Sequence, residues 1–202
     1  MTYIIGIAGP TGCGKSELCD MLKADLKSPV LEMDEFFLES ENAPMFGHYN
    51  NWDDPRALNL RSFYSVLGKL KQGLPASYRP YSKKTGKLGK KETLHPTEIL
   101  LAEGFLLFYD KKIRDLIDLR IFLDLPSEVC FERRRNRPGQ NSIYASRDYF
   151  ENCILPGIER NIMPNKEHAH HVVDANRNFG EVLAEVRNRT LQNLMKYAQS
   201  SD

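Results

Sequence analysis

Apolar residues fall along this chain in two alternating rhythms, short unbroken runs rich in β-branched residues and stretches spaced three and four apart. The first suits strands buried on both faces of a parallel sheet, and the second suits the inner face of crossover helices. Residues 3–8 (YIIGIA) predict a first strand, and residues 15–27 a helix with Leu18, Met21, Leu22 and Leu26 on one face. Residues 29–33 predict a second strand that ends at Asp34. Residues 35–54, rich in Asn, Pro, Gly and aromatics, read as a long functional loop. Asp54 and Pro55 supply an N-cap and a first helical residue for a helix carrying Leu58, Phe63, Val66, Leu67 and Leu70 and ended by Gly73. Residues 74–97 read as an exposed hairpin or flap whose lysines, Lys83 to Lys91, are solvated. Residues 99–102 predict a third strand terminating in Glu103 and Gly104, and residues 118–125 a fourth. Pro126 opens a helix into the arginines at 133–137, which residues 138–142 (PGQNS) break. A helix over 148–161, a fifth strand over 170–174 and an amphipathic helix over 179–198 complete the pattern. Strands alternating with helices predict an α/β fold, a parallel sheet of about five strands with helices on both faces, in one domain spanning residues 1–202.

Composition narrows the function. Lys and Arg number 28 against 27 Asp and Glu, a net charge of +1, which excludes a bulk polybasic nucleic-acid binder. No run of apolar residues is long enough to span a membrane, and the opening MTYIIGIAG has no basic segment ahead of its apolar run, so it reads as a strand and not a signal peptide. Cys13, Cys19, Cys130 and Cys153 form neither a CxxC pair nor a zinc spacing, and they read as reduced thiols of a cytoplasmic protein.

Residues 9–16 (GPTGCGKS) fit GxxxxGK[ST], the P-loop, placed as that motif requires between a strand and a helix. Its glycines let backbone N–H groups converge on phosphate oxygens, and the helix N-terminus adds positive partial charge. Lys15 then reaches the β- and γ-phosphates, and the Ser16 hydroxyl ligates Mg²⁺. A GTPase reading fails, because Asn165-Lys-Glu-His168 carries His where a base-reading Asp is needed. Asp34 and Glu103 are instead expected at the carboxyl tips of neighbouring strands, where such sheets bind ligands. One would accept the proton of an alcohol and the other would hold Mg²⁺, the division of labour of a phosphoryl-transfer site. Arg133 and Arg137, four apart, predict one helix face of a mobile arginine lid over about 133–147, neutralising the transferring phosphoryl group and excluding water.

These segments resemble the uridine kinase/phosphoribulokinase superfamily. The likeness is carried by residues 9–16, 33–37 (MDEFF), 51–58 (NWDDPRAL), 103–108 (EGFLLF) and the 133–137 arginines, and it is strongest toward the nicotinamide riboside kinases, which also share an acidic Tyr-Phe stretch and a proline matched by Tyr149, Glu151 and Pro156. The resemblance implies an ATP-dependent, Mg²⁺-requiring kinase of the ribose 5′-hydroxyl of a small-molecule nucleoside, making nicotinamide mononucleotide for NAD biosynthesis. It implies Asp34 as the proton acceptor, Ser16 and Glu103 as magnesium ligands, and Asp53 on the ribose diol. Trp52 and Tyr149 would sandwich the base, with Phe37 beside it and Arg134 on the substrate. Gly9, Pro10, Thr11, Gly12, Cys13, Gly14, Lys15, Ser16 and Glu17 would surround the phosphates, Arg133 and Arg137 would contact ATP, and Asp174 and Asn176 would border the adenine. A cationic nicotinamide ring on Trp52 would gain about 0.5–2 kcal/mol of cation–π attraction. Residues 74–97 are similar to the substrate hairpin of uridine kinases but lack its YDxxxHxR pattern, since Tyr81 is followed by Ser-Lys-Lys-Thr-Gly. A uridine/cytidine kinase and, from another class, an ATP-binding regulatory module are the competing readings.

Overall fold

In the computed structural model, residues 1–137 and 143–200 are described. The strands are β1 (Tyr3–Ala8), β2 (Val30–Glu32), β3 (Ile99–Glu103), β4 (Leu119–Asp124) and β5 (His171–Asp174). All five run parallel in one sheet ordered β5-β4-β1-β3-β2. Central β1 is buried along its whole length, with Ile5 in register with Leu119 on one side and Leu101 on the other. A strand covered on both faces has no solvent side to mark with polar residues, which is why YIIGIA is continuous and does not alternate.

Four main helices flank the sheet: α1 (Lys15–Leu26), α2 (Leu60–Lys71), α3 (Ser127–Arg135) and α4 (Phe179–Ser200). In α1 the buried positions are Leu18, Cys19 and Leu22, whereas Met21, expected on the inner face, is 42% exposed. Leu18 and Leu22 are buried as expected, and the small Cys19 side chain, in place of Met21, completes the buried face. Phe63, Val66, Leu67 and Leu70 bury the inner face of α2. This helix starts later than expected. Asp54 caps only a 3₁₀ turn, Pro55–Ala57, and Asn59 caps α2 by accepting from the Ser62 N–H at 3.0 Å. Between them Leu58 is extended and bridges Phe37, while Leu38 N–H donates to Ala57 O and Asn59 N–H to Phe36 O, both at 2.8 Å. Tertiary pairing therefore overrides a sound local start signal.

The second strand is also shorter than expected, because Met33–Phe36 forms a 3₁₀ turn. Asp34 thus sits in the turn beyond β2 and not at the strand's end. In α3 the C-cap is Asn136, so Arg137 lies past the helix and does not share a helical face with Arg133. Residues 138–142 of the expected lid lie outside the described residues. The helix expected over 148–161 begins at Arg147, widens into π-turns at Phe150–Ile154 and Ile158–Ile162 on either side of Leu155–Gly157, and closes in a 3₁₀ stretch, Met163–His168. Pro156, with no N–H to donate, lies between the two wide turns, which accommodate the missing bond.

The 74–97 segment is a pair of nested hairpins, Ala76–Tyr78 with Glu92–Leu94 and Tyr81–Ser82 with Lys87–Leu88. It docks along residues 34–40. Tyr78 Oη donates to Glu35 Oε2 at 2.7 Å, the Leu88 N–H donates to Glu39 Oε1 at 3.0 Å, and the Ser40 N–H donates to Gly86 O at 2.9 Å. The core lies between the sheet and its helices, where each fully buried Ile, Leu or Phe contributes roughly 1.5–3 kcal/mol.

Candidate active site

The carboxyl ends of β1, β2, β3 and β4 open on one edge of the sheet, and a cleft of about 950 Å³ lies there. That volume is at the upper end of the usual range for small-molecule sites. Its floor is the turn from β1 into α1. Gly12 and Gly14 take positive φ of 77° and 91°, and no side chain caps α1, so its first N–H groups face the concavity. Lys15 folds back along this turn, donating to Gly9 O at 2.9 Å and Pro10 O at 3.0 Å, with its Nζ 3.7 Å from Cys13 Sγ. Burial works to lower the Lys15 pKa, but Cys13, Glu103 and Asp34 outweigh it and keep the ammonium form. Burial likewise pushes the Cys13 thiol up, away from the reactive thiolate.

Ser16, one residue into α1, donates its hydroxyl to Glu103 Oε1 at 2.8 Å. Glu103 is buried, its pKa raised by desolvation against the opposing pull of Lys15 and Ser16. Its other oxygen, Oε2, is buried with no hydrogen-bond partner among the described residues. An orphaned carboxylate oxygen beside a hydroxyl is a donor pair suited to Mg²⁺, a hard cation held by one or two carboxylates together with phosphate oxygens. The donor chemistry fits such an ion.

Asp34 stands across the cleft. Its Oδ2 accepts from Lys83 Nζ of the flap at 2.7 Å. Asp53 lines the same cleft, and burial raises its pKa, with Arg134 working against the rise. Arg133 and Arg134 are seated on the floor, Arg133 Nη1 donating to Gly12 O at 3.2 Å and Arg134 Nη1 to Thr11 Oγ1 at 3.1 Å. Arg137 and Glu17 also line the cleft.

The aromatic wall differs from expectation. Trp52, Phe37, Tyr81 and Phe105 form it, with Trp52 and Tyr81 ring centroids 5.5 Å apart and Phe37 edge-on to Trp52 at 5.2 Å. Tyr149, expected to sandwich a base against Trp52, has no exposed surface. Its hydroxyl donates to Asn50 O at 3.1 Å and accepts from the Trp52 N–H at 3.4 Å, and its ring sits edge-on between Tyr49 and Tyr144. Tyr149 thus supports the loop that carries Trp52 and lies outside the lining of the cleft. Asp174 and Asn176 also stand outside the cleft lining, at the end of edge strand β5, where Asp174 Oδ1 accepts from the Asn176 N–H at 2.9 Å.

Tyr81 and Lys83, which the sequence reading left outside the site, reach it from the flap. Their spacing of two on a hairpin, which sends alternate side chains to one face, is the signal that could have paired them. Lys83 therefore pairs with Asp34, although its side chain stays largely exposed.

Residues 4–178 match the model of the phosphoribulokinase/uridine kinase family. The uridine kinase of Shewanella frigidimarina is 31% identical over 183 residues, covering 84% of this chain and 86% of that protein. Uridine kinase-like protein 4 of Arabidopsis thaliana is 28% identical over 180 residues, 85% of this chain, which spans only 38% of that relative's length. Phosphoribulokinase from Rhodobacter spheroides shares the fold, with a TM-score of 0.62 at 15% identity over 87% of this chain and 73% of that one. With a family match reaching from β1 to just short of α4, and a full-length relative above three-tenths identity, the chain belongs to the phosphoribulokinase/uridine kinase family.

Proposed function

We propose that this chain transfers the γ-phosphoryl group of ATP to the 5′-hydroxyl of a ribonucleoside, as a single cytoplasmic unit in which residues 35–54 and 74–97 serve the acceptor. The observation that carries the reading is the convergence in one cleft of the P-loop, two carboxylates (Asp34 and Glu103) and an aromatic wall. A module that only binds ATP needs neither the second carboxylate nor the aromatic wall.

The first N–H groups of α1 and the Lys15 ammonium, released from the Gly9 and Pro10 carbonyls, hold the phosphates. Ser16 and Glu103 would hold Mg²⁺, which when bound neutralises charge on the phosphate oxygens. Asp34 takes the proton of the attacking hydroxyl as its oxygen bonds to phosphorus and the bond to the ADP oxygen breaks. Arg133 and Arg137 offset charge on the transferring group. Asp53 grips the ribose diol, with Arg134 near it, and Phe37 and Trp52 flank the base.

Uridine, or its cytidine analogue, is the first acceptor to consider, because a named uridine kinase is 31% identical to this chain over 84% of its length. Nicotinamide riboside is the second reading, favoured by the Trp52 face beside Asp34 and Asp53, which suits a cationic ring. The Tyr149 sandwich no longer supports it. Turnover with Mg-ATP over uridine, cytidine, nicotinamide riboside, pantothenate and ribulose 5-phosphate decides. A nucleoside is expected to lead by kcat/KM. ATP binding without turnover of any of the five would leave the regulatory-module reading in its place.

A further inference from the structure

We propose that Lys83 is a positioning residue that orients the Asp34 carboxylate for proton acceptance and ties that orientation to the seating of the 74–97 flap. The inference rests on the reading of Asp34 as the proton acceptor.

Lys83 follows the strand Tyr81–Ser82 in a tight turn, where the Thr85 N–H donates to Ser82 O at 3.2 Å and the Gly86 N–H donates to the same oxygen at 2.8 Å. The turn is pressed onto the acceptor-side segment, so close that a Cβ on Gly86 would come within 2.5 Å of Ser40 Oγ. Ser40 also hydrogen-bonds Tyr81 Oη at 3.1 Å. Lys83 is thus delivered to Asp34 by a docked element and not by a free side chain reaching out of solvent.

The pair itself adds little to fold stability. The Lys83 side chain is 69% exposed and that of Asp34 is 35% exposed, the regime in which an ion pair is screened and pays for its own ordering. Its consequence is geometric. Asp34 lies in a short 3₁₀ turn, and Lys83 is the side chain that fixes its carboxylate. Lys83 occupies Oδ2 at 2.7 Å, while among the described residues Oδ1 accepts no hydrogen bond and is left for the acceptor hydroxyl. A carboxylate held by one oxygen presents the other along a defined line. Released, it would rotate about its side-chain bonds, and the hydroxyl would meet a spread of orientations. Lysine suits the task because its ammonium is a compact point charge that binds one oxygen and leaves its neighbour free, where a bidentate fork would cover both.

The flap's other anchor gives the inference its distinguishing consequence. Tyr78 Oη donates to Glu35 Oε2, on the residue next to Asp34 in the same turn. Weakening that anchor should loosen Lys83's hold on Asp34, so the two changes act through one path and should not add.

Steady-state kinetics with saturating Mg-ATP, using uridine and nicotinamide riboside and keeping the better acceptor, test this. Lys83→Ala is expected to lower kcat about 10–100-fold with acceptor and ATP KM values within about threefold of wild type. Lys83→Arg should recover only part of the loss, because its fork also reaches the second oxygen, Tyr78→Phe should reproduce a smaller part of the loss, and the double variant of Lys83→Ala with Tyr78→Phe should be no worse than Lys83→Ala alone. Unchanged or raised kcat in Lys83→Ala overturns the inference, as does a loss confined to acceptor KM, which would make Lys83 a binding residue. Full additivity with Tyr78→Phe overturns the flap coupling. The underlying reading fails separately: normal kcat in Asp34→Asn, or wild-type turnover of neither nucleoside, removes Asp34 as proton acceptor whatever Lys83 does.

Discussion

Gly104 and Met33 are packed so closely that a Cβ on Gly104 would lie 2.5 Å from the Met33 Cβ. This contact joins the residue after Glu103 to the residue before Asp34, and so sets the spacing of the two carboxylates across the cleft. Gly104→Ala forces overpacking at buried backbone and should cost about 1–3 kcal/mol. At roughly 2–4 °C per kcal/mol for a chain of this size, Tm should fall by about 2–12 °C. Gly68→Ala is the control, since its Cβ would meet only Leu116 Cδ1 at 3.8 Å inside α2, and it should be neutral or slightly stabilising. Calorimetry on the pair checks this, and a Gly104→Ala protein as stable as wild type would refute the close packing.

Removing the side chains proposed to hold phosphate and metal should spare the fold. Lys15→Ala and Ser16→Ala are expected to melt cooperatively and turn over very slowly. Glu103→Gln should need more Mg²⁺ for half-maximal rate, because a neutral amide is a poorer ligand for a hard cation. An unchanged magnesium titration would assign Glu103 to holding Ser16 alone.

Asp34 and Asp53 should fail in different ways. On the reading of Asp34 as the proton acceptor, Asp34→Asn should lower kcat about 10²–10⁴-fold with KM nearly constant. Asp53→Asn should mainly raise KM for the nucleoside, and a 2′-deoxy acceptor should lose little more in that variant. Should the deoxy penalty persist in full, the diol contact lies elsewhere, with Asp54 the first place to look.

Asp53 also carries a stability signature. Burial raises its pKa, which means that the folded state holds the proton more tightly than the unfolded chain does. The stability this gives is present below the unfolded pKa, about 3.9, and is lost as pH rises through the folded value, so the ionised form burdens the fold at neutral pH. Asp53→Asn should therefore melt above wild type at pH 7, with the gap narrowing as the pH is lowered into the acid range. A gap that widens on acidification would contradict the direction of the shift.

Tyr149 should behave as a support for Trp52. Tyr149→Phe leaves the half-buried Asn50 carbonyl and Trp52 N–H without the hydroxyl, at a cost of about 1 kcal/mol. Acceptor KM should rise as Trp52 loosens, while ATP KM stays put. An unchanged melting curve would mean that water replaces the hydroxyl.

What the sequence determined alone was local. The P-loop is a contiguous octapeptide between an apolar strand and a helix, and the central strands β1 and β3 are nearly continuous apolar runs because a parallel sheet covered on both sides demands them. Lys15, Ser16, Asp34 and Glu103 are legible because each stands at or just beyond the end of a strand. The tertiary structure decided whatever depends on two distant segments meeting. Asp54 and Pro55 form a valid helix start, yet Leu58 is drawn into pairing with Phe37 and α2 waits until Leu60. Tyr149 has the chemistry of a stacking residue, but neighbours from three segments bury it. Lys83 looks like any flap lysine until the hairpin folds over residues 34–40 and sets it 2.7 Å from Asp34. A short-range pattern records which residues prefer a strand, a helix or water, whereas a contact across tens of residues exists only once the chain between them has folded.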